Sequence, residues 1–269
     1  MTMDIHAIES AAQLAWPALI EQSATTGVLR FAAGVSRRAN SMNPYLDKAV
    51  DCRALCQETE GFFQSHQHPA IVKVLVARSG MVCDFLALDA HLDTAGYGKE
   101  GDTIVMGLPL QTLENSAGAD PRRAAHRNWC LTSETANDWS LAWHEVRGLP
   151  ETHQLVHSQI VARIAAPRQL LCVRDANGKA LATGFAVNQY GCLGIFGMAT
   201  RLAHRRIGLS QLLIQQLLLW GKAQGAGFAY LQVETANAAA RALYEKSGFR
   251  NEYSYWYRVK NFNTQGELS

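Results

Sequence analysis

The chain has 269 residues, 48% of them hydrophobic and 18% charged, which is the make-up of a globular protein long enough for two domains with separate cores. A net formal charge of +2 and an isoelectric point near 8.2 argue against binding nucleic acid through a bulk positive field, so any basic site has to be local. No apolar run approaches the roughly 20 residues a membrane span needs, and residues 1–8 lack the basic and apolar regions of a secretory leader. The six cysteines are scattered with no C-x-x-C pair, so reduced thiols in a cytoplasmic protein are expected.

In chain order, Ile8, Ala11, Ala12, Ala15 and Leu19 fall at helical spacing and predict a helix over 8–22, short or kinked because of Pro17. Val28, Phe31 and Val35 predict a strand over 27–35. It is followed by turn chemistry from Arg37 to Pro44. Asp47 is the expected cap of a helix reaching about residue 64. A strand over 70–77, a helix over 83–95 ended by Gly96 and a strand over 103–110 complete the first half.

Between 111 and 127 the periodicity stops. Asn115 to Arg123 has linker composition, which divides the chain into 1–115, a linker at 116–128, and 129–269. Helices are expected over 134–147 and 152–165. A hairpin follows, with strands 170–174 and 180–187 joined through Asn177-Gly178. Strand 192–200, a long amphipathic helix over 209–224, strand 228–234, helix 237–247 closed by Gly248 and an aromatic strand 252–259 finish the chain.

The two halves echo one another. Each has the order helix, strand, helix, glycine-aromatic, strand; aligning Gly96 with Gly248 pairs Leu92 with Tyr244 and Phe85 with Asn237. The first half therefore lacks the polar groups of the second, and no Arg-x-x-Gly turn precedes helix 47–64.

The turn Arg205-Arg206-Ile207-Gly208-Leu209-Ser210 stands between a strand and a long helix. The first N–H groups of a helix have no internal partner and sit at the positive end of its dipole, so they attract anions. Glycine allows close approach, and arginines add charge-assisted bonds. Taken alone the turn also reads as an ordinary basic loop, and it matches neither the dinucleotide nor the nucleoside-triphosphate loop.

With the strand ending Leu231-Gln232-Val233-Glu234, then Asn237, Ala240, Leu243-Tyr244 and Gly248-Phe249, this turn resembles the GNAT superfamily of acetyl-CoA-dependent N-acyltransferases over about 150–259. Serine at 210 departs from the more usual glycine or alanine. The resemblance implies a V-shaped opening between the strands ending at Thr200 and Glu234. Backbone groups of Met198, Ala199 and Thr200 would take the pantetheine arm like an added strand. Those of Arg206, Ile207, Gly208, Leu209 and Ser210, with Arg205 beside them, would cradle the diphosphate, and Asn237 would contact or orient the arm.

The resemblance also assigns Tyr244 as general acid. A thiolate leaving group has a conjugate acid near pKa ~8.5 and tyrosine lies near ~10, so proton donation as the C–S bond breaks is close to balanced. A Met198 N–H would stabilise the oxyanion. A related branch carries its catalytic glutamate five residues before the asparagine, where this chain has Gln232; Glu234, on the same side of an ideal strand, is the candidate base, with a solvated charge or a water relay as alternatives. In the first half, Arg37 to Ser41 and Gly96-Tyr97 resemble the degenerate amino-terminal copy of two-domain members, implying a scaffold or acceptor wall without coenzyme.

Other candidates carry less. His153 and His157 share a helix face without an acidic partner, so no metal is expected, and no Ser-His-Asp or Cys-His set stands out. Trp129, Trp139 and Trp143 read as packing residues or an aromatic wall for an amine. Tyr253, Tyr255, Trp256 and Tyr257 read as a strand packed on both faces or a homodimer contact. The expected architecture is a pair of tandem GNAT-like α/β domains, each a mixed, mostly antiparallel sheet flanked by helices. The expected activity is direct acetyl transfer from acetyl-CoA to a primary amine on a small molecule or peptide N-terminus; a CoA-binding protein without turnover is the alternative. No nucleic acid or membrane partner is expected.

Overall fold

A computed structural model describes residues 3–76, 83–113 and 129–262. The chain divides into two compact units, neither contiguous in sequence. The early unit is Ala18–Ile104 with Glu234–Ala236 and Tyr253–Ser269; the late unit is Met1–Pro17 with Val105–Val233 and Asn237–Glu252. This differs from a split into 1–115 and 129–269, and the expected linker at 116–128 lies outside the described residues.

The early unit contains strands β1 (Ile20–Ser23), β2 (Gly27–Phe31) and β3 (Ser41–Pro44), helix α2 (Cys52–Ser65), strand β4 (Ala70–Val76) and helix α3 (Phe85–Thr94). Strand β5 (Gly98–Pro109) begins in it, and most of β11 (Arg250–Lys260) belongs to it. The order is β1-β2-β3-β4-β11-β5. Pairing is antiparallel for β1–β2, β2–β3 and β4–β11, and parallel at the one β3–β4 register pair, Met42↔Val72.

Helix α2 starts four residues later than expected. The Asp51 carboxylate, rather than Asp47, accepts from the N–H groups of Arg53 and Ala54. The stretch read as a turn at 41–44 is strand β3, because the turn is completed before it: the buried Asn40 accepts from the Ala32 and Gly34 N–H groups and donates to the Ser36 carbonyl. Strand β1 went unrecognised because all four residues are exposed and show no alternation. Its pairing instead places Glu21 opposite Arg30, and the two form a 3.0 Å ion pair.

The late unit holds helix α1 (Ile5–Ala15), strand β6 (Trp129–Ser133) and helices α4 (Ala136–Arg147) and α5 (Glu151–Ala162). It continues with the antiparallel strands β7 (Arg168–Asp175), β8 (Ala180–Gln189) and β9 (Cys192–Thr200), helix α6 (Leu209–Ala223), strand β10 (Phe228–Glu234) and helix α7 (Ala238–Lys246). From the end of β5 the order is β5-β10-β9-β8-β7-β6. Helix α1 ends at Ala15, two residues before Pro17, and its buried face of Ile8, Ala11, Ala12 and Ala15 packs on β8 and β9. Trp16 continues that contact, its ring 6.0 Å from Phe185 and 6.2 Å from Phe196. Helix α6 buries Leu209, Leu212, Leu213 and Leu217 against β8 and β9. Trp139 is buried, as expected of a packing residue, and its Nε1 donates to the Leu171 carbonyl.

An exchange of strands explains the discontinuous units. Strand β5 follows α3, yet its end from Val105 counts with the late unit; β11 follows α7, yet Ser254 to Lys260 pair with β4. Tyr253, Tyr255 and Tyr257 are buried in this arrangement, so the aromatic strand packs within the chain. No helix among the described residues is long and apolar enough to cross a membrane.

Candidate active site

Strands β9 and β10 run parallel only from Cys192↔Phe228 to Ile195↔Leu231. Strand β9 keeps its pairing with β8 as far as Ala182↔Thr200. Among the described residues, Phe196, Ala199 and Thr200 therefore have register partners on β8 while none of 196–200 has one on β10, and the two parallel strands separate where the sequence places Met198, Ala199 and Thr200. All three are half-buried.

A bulge on the β8 side falls at the same place. Thr183 pairs with Ala199 and Phe185 with Phe196, so two residues of β9, Gly197 and Met198, oppose the single Gly184 of β8. Gly197 has φ +60°, the left-handed conformation that glycine supplies at bulges of this kind. A side chain at 197 would collide with the ring of Trp139, and one at 184 with the Met198 sulfur. Met198 thus packs its side chain over Gly184, and its backbone is what it can offer on the open side. The glycines at 184 and 197 were the available sequence signal, because a glycine inside a strand marks a bulge or a close approach.

The loop after β9 makes a 3-10 turn at Leu202–His204, then passes through Arg206 at φ +62° and Gly208 at φ +91° into α6. Gly208 is the N-cap of α6 and has no side chain with which to cap it. The space around its Cβ position is open to 4 Å. Arg205, Arg206, Ile207 and Gly208 are exposed, Leu209 turns into the core, and Ser210 Oγ lies 2.8 Å from Thr200 Oγ1. That last contact ties the first turn of α6 to the end of β9. The loop's entry is fixed by Arg201, which pairs with Glu145 and donates to the Ala180 carbonyl. The result is an exposed helix start with backbone donors and two arginines, chemically suited to a diphosphate.

Tyr244 is buried on α7, its ring 6.2 Å from Phe249. The helix ends in a Schellman arrangement, with the Phe249 N–H donating to the Tyr244 carbonyl and Gly248 at φ +96°. Asn237 stands at the head of α7, where the sequence placed it, and caps the helix: its Oδ1 accepts from the Ala240 N–H at 3.1 Å. Glu234 is exposed at the end of β10 and counts with the early unit, whereas the other site candidates count with the late unit.

The histidines gave a different result. His157 is buried and its Nδ1 lies 2.8 Å from Nε2 of His144, a residue the sequence did not single out. Burial first, then the neighbouring His144, pulls His157 down to about 4, and burial lowers His144 as well. Both are packing groups, with the Trp143 ring 4.7 Å from that of His157. Among the described residues no cluster of three or more His, Cys, Asp or Glu could hold a metal ion. Burial raises the Cys83 thiol to about 11 and those of Cys172 and Cys192 to about 12, so these three are not nucleophiles at neutral pH.

Residues 2–258 match the profile of the family described as "Probable histone acetyltransferase Rv0428c C-terminal". The chain is 28% identical over 259 residues to the uncharacterized N-acetyltransferase YobR of Bacillus subtilis (strain 168), covering 96% of this chain and 99% of that protein. Among solved structures it resembles a GCN5-related N-acetyltransferase from Kribbella flavida, with TM-score 0.67, 14% identity and coverage of 99% and 100% of the two chains. It also resembles a tandem GNAT protein from the clavulanic acid biosynthesis pathway, with TM-score 0.61, 12% identity and coverage of 79% of this chain and 70% of that one. Since the family profile spans nearly the whole sequence, the chain belongs to that family, and with it to the GNAT superfamily of N-acetyltransferases.

Proposed function

We propose that the protein moves an acetyl group from acetyl-CoA directly to a primary amine, on a small molecule or a peptide N-terminus, in a ternary complex. The observation that carries this is the separation of β9 from β10 beyond Ile195 and Leu231, next to a helix whose start is uncapped and open at Gly208. The pantetheine arm would add to the free edge of β9 at Met198 to Thr200 by backbone pairing. The diphosphate would lie on the N–H groups from Arg206 to Ser210, with Arg205 and Arg206 supplying charge. Asn237, whose oxygen caps α7, keeps its amide nitrogen for the arm.

In the transfer, the amine nitrogen forms a bond to the acetyl carbon while the C–S bond breaks. Negative charge building on the acetyl oxygen is met by the Met198 N–H. Tyr244 gives its hydroxyl proton to the departing sulfur, and the amine's proton goes to Glu234 or to water. High thiol pKa values at the buried cysteines favour this direct route over an acetylated cysteine. The test is calorimetry with CoA followed by a screen of amines for CoA release from acetyl-CoA. Saturable 1:1 binding and amine-dependent release are expected; absence of any CoA binding sinks the assignment.

A further inference from the structure

The Gly197–Met198 peptide holds the N–H on which the reading above relies, and something has to fix its orientation. The peptide lies in a bulge, where regular ladder pairing is interrupted on the β8 side and β10 is no longer alongside. One side chain holds it. Thr183, fully buried on β8, donates its hydroxyl hydrogen to the Gly197 carbonyl at 3.1 Å. That carbonyl and the Met198 N–H belong to the same peptide unit. The chain has no cis peptide bond among the described residues, and in a planar trans peptide the two groups point in opposite directions. Holding the carbonyl toward Thr183 therefore turns the Met198 N–H away from Thr183.

Two further contacts make the bulge a rigid seat. The Trp139 ring fills the space a side chain at 197 would need, and Trp139 is itself anchored by Nε1 to the Leu171 carbonyl at 3.2 Å. On the next peptide, the Met198 side chain is packed over Gly184. Neither contact selects the rotation of the 197–198 peptide plane; the Thr183 hydroxyl does, because it is the group bonded to that plane's carbonyl.

We propose that Thr183 is a positioning residue for acetyl transfer: its hydroxyl grips the Gly197 carbonyl and thereby aims the Met198 N–H at the acetyl oxygen. This rests on the reading of Met198 as oxyanion donor. Thr183 is fully buried and bonded to the Gly197 carbonyl, so its removal is expected to spare coenzyme binding and to act on turnover.

Thr183→Val keeps the branched shape and removes the donor, whereas Thr183→Ser keeps the donor. Losing an oxyanion donor outright costs about 10²–10³ in kcat, so a donor left in place but mis-aimed is expected to cost about tenfold. KM for acetyl-CoA and CoA affinity should stay within about twofold of the parent protein, and Thr183→Ser should recover most of kcat. The second readout is hydrogen exchange at the Met198 amide on adding a ketone analogue of acetyl-CoA that cannot transfer its acyl group. Protection should exceed that given by CoA in the parent protein and should be reduced in Thr183→Val.

Parent-like kcat and parent-like protection in Thr183→Val would overturn the positioning role. A parent protein that binds the analogue without protecting Met198 would instead overturn the oxyanion reading beneath it. Should the valine variant fail to fold, Thr183→Ala removes the same donor without added bulk and carries the same expectations for kcat, KM and Met198 protection.

Discussion

Helices α2 and α3 of the early unit and helices α6 and α7 of the late unit are built on one plan with opposite endings. Both α3 and α7 close through glycine at positive φ, at Gly96 and Gly248, with the next aromatic N–H reaching back to Leu92 or Tyr244 at 3.0 Å. What differs is how the polar groups are used. Helix α2 begins with its N–H groups taken by the Asp51 carboxylate, so an anion of the chain's own already occupies the positive end. Helix α6 begins at Gly208 with none. Helix α3 presents Asp89 and Asp93 to the buried Arg258 of β11, which also donates to the Tyr97 carbonyl. Helix α7 presents Tyr244. One copy uses its charges to close the fold, and the other leaves them open to a ligand, which supports confining coenzyme to the late unit.

The largest expected effect lies in the closed copy. Arg258 joins α3 to β11, and Asp89 is held below the usual carboxylate range mainly by its hydrogen bond from Arg258. Arg258→Met should lower the unfolding free energy by about 3 kcal/mol, since Asp89, 20% exposed, loses its charge-assisted bonds while Asp93, 68% exposed, stays solvated. Urea denaturation checks this; a loss under about 1 kcal/mol would mean the network is solvated and of little weight.

Next comes the group that distinguishes α7. Tyr244→Phe should reduce kcat by about 10²-fold or more, the usual yield of general-acid catalysis, with CoA affinity unchanged by calorimetry. A protein that binds CoA without turnover would be indifferent to the change. Making α6 resemble α2 comes third: Gly208→Asp should weaken CoA binding by about tenfold or more by supplying a competing carboxylate at the helix start. Gly208→Asn controls for the strain of a side chain at φ +91°, and equal losses from the two would remove charge from the explanation. Asp51→Ala should cost about 1 kcal/mol of stability and leave activity intact.

A smaller contrast is expected on acidification. His157 has a folded-state pKa of about 4, below its ordinary value, so the unfolded state binds the proton more readily and stability falls as pH drops from about 6.5 toward 4. Asp89 is also depressed, but its contribution persists until pH falls below the ordinary carboxylate value and is lost through its folded pKa. Between about pH 6.5 and 4, amide exchange corrected for intrinsic rates should therefore loosen α4 and α5 before α3 and β11. Simultaneous loosening would put the acid sensitivity outside the His144–His157 pair.

The amino-acid sequence by itself determined the local elements around the site. Strand Cys192–Thr200 and strand Phe228–Glu234 follow from apolar runs between turn residues, and the helix from Leu209 follows from its leucine face. The repeated glycine-aromatic closure was also legible, because a Schellman end is set by residues within one turn. Only the tertiary structure decided which strands go with which unit, since β5 and β11 look alike whichever partner they take and pairing is settled by long-range registers such as Tyr255↔Leu75. It also decided that His144 faces His157 and that Gly197 and Met198 oppose Gly184 alone. Hydrophobic periodicity is a property of neighbours in the chain, whereas a bulge, a buried pair and a strand exchange arise only when distant segments meet.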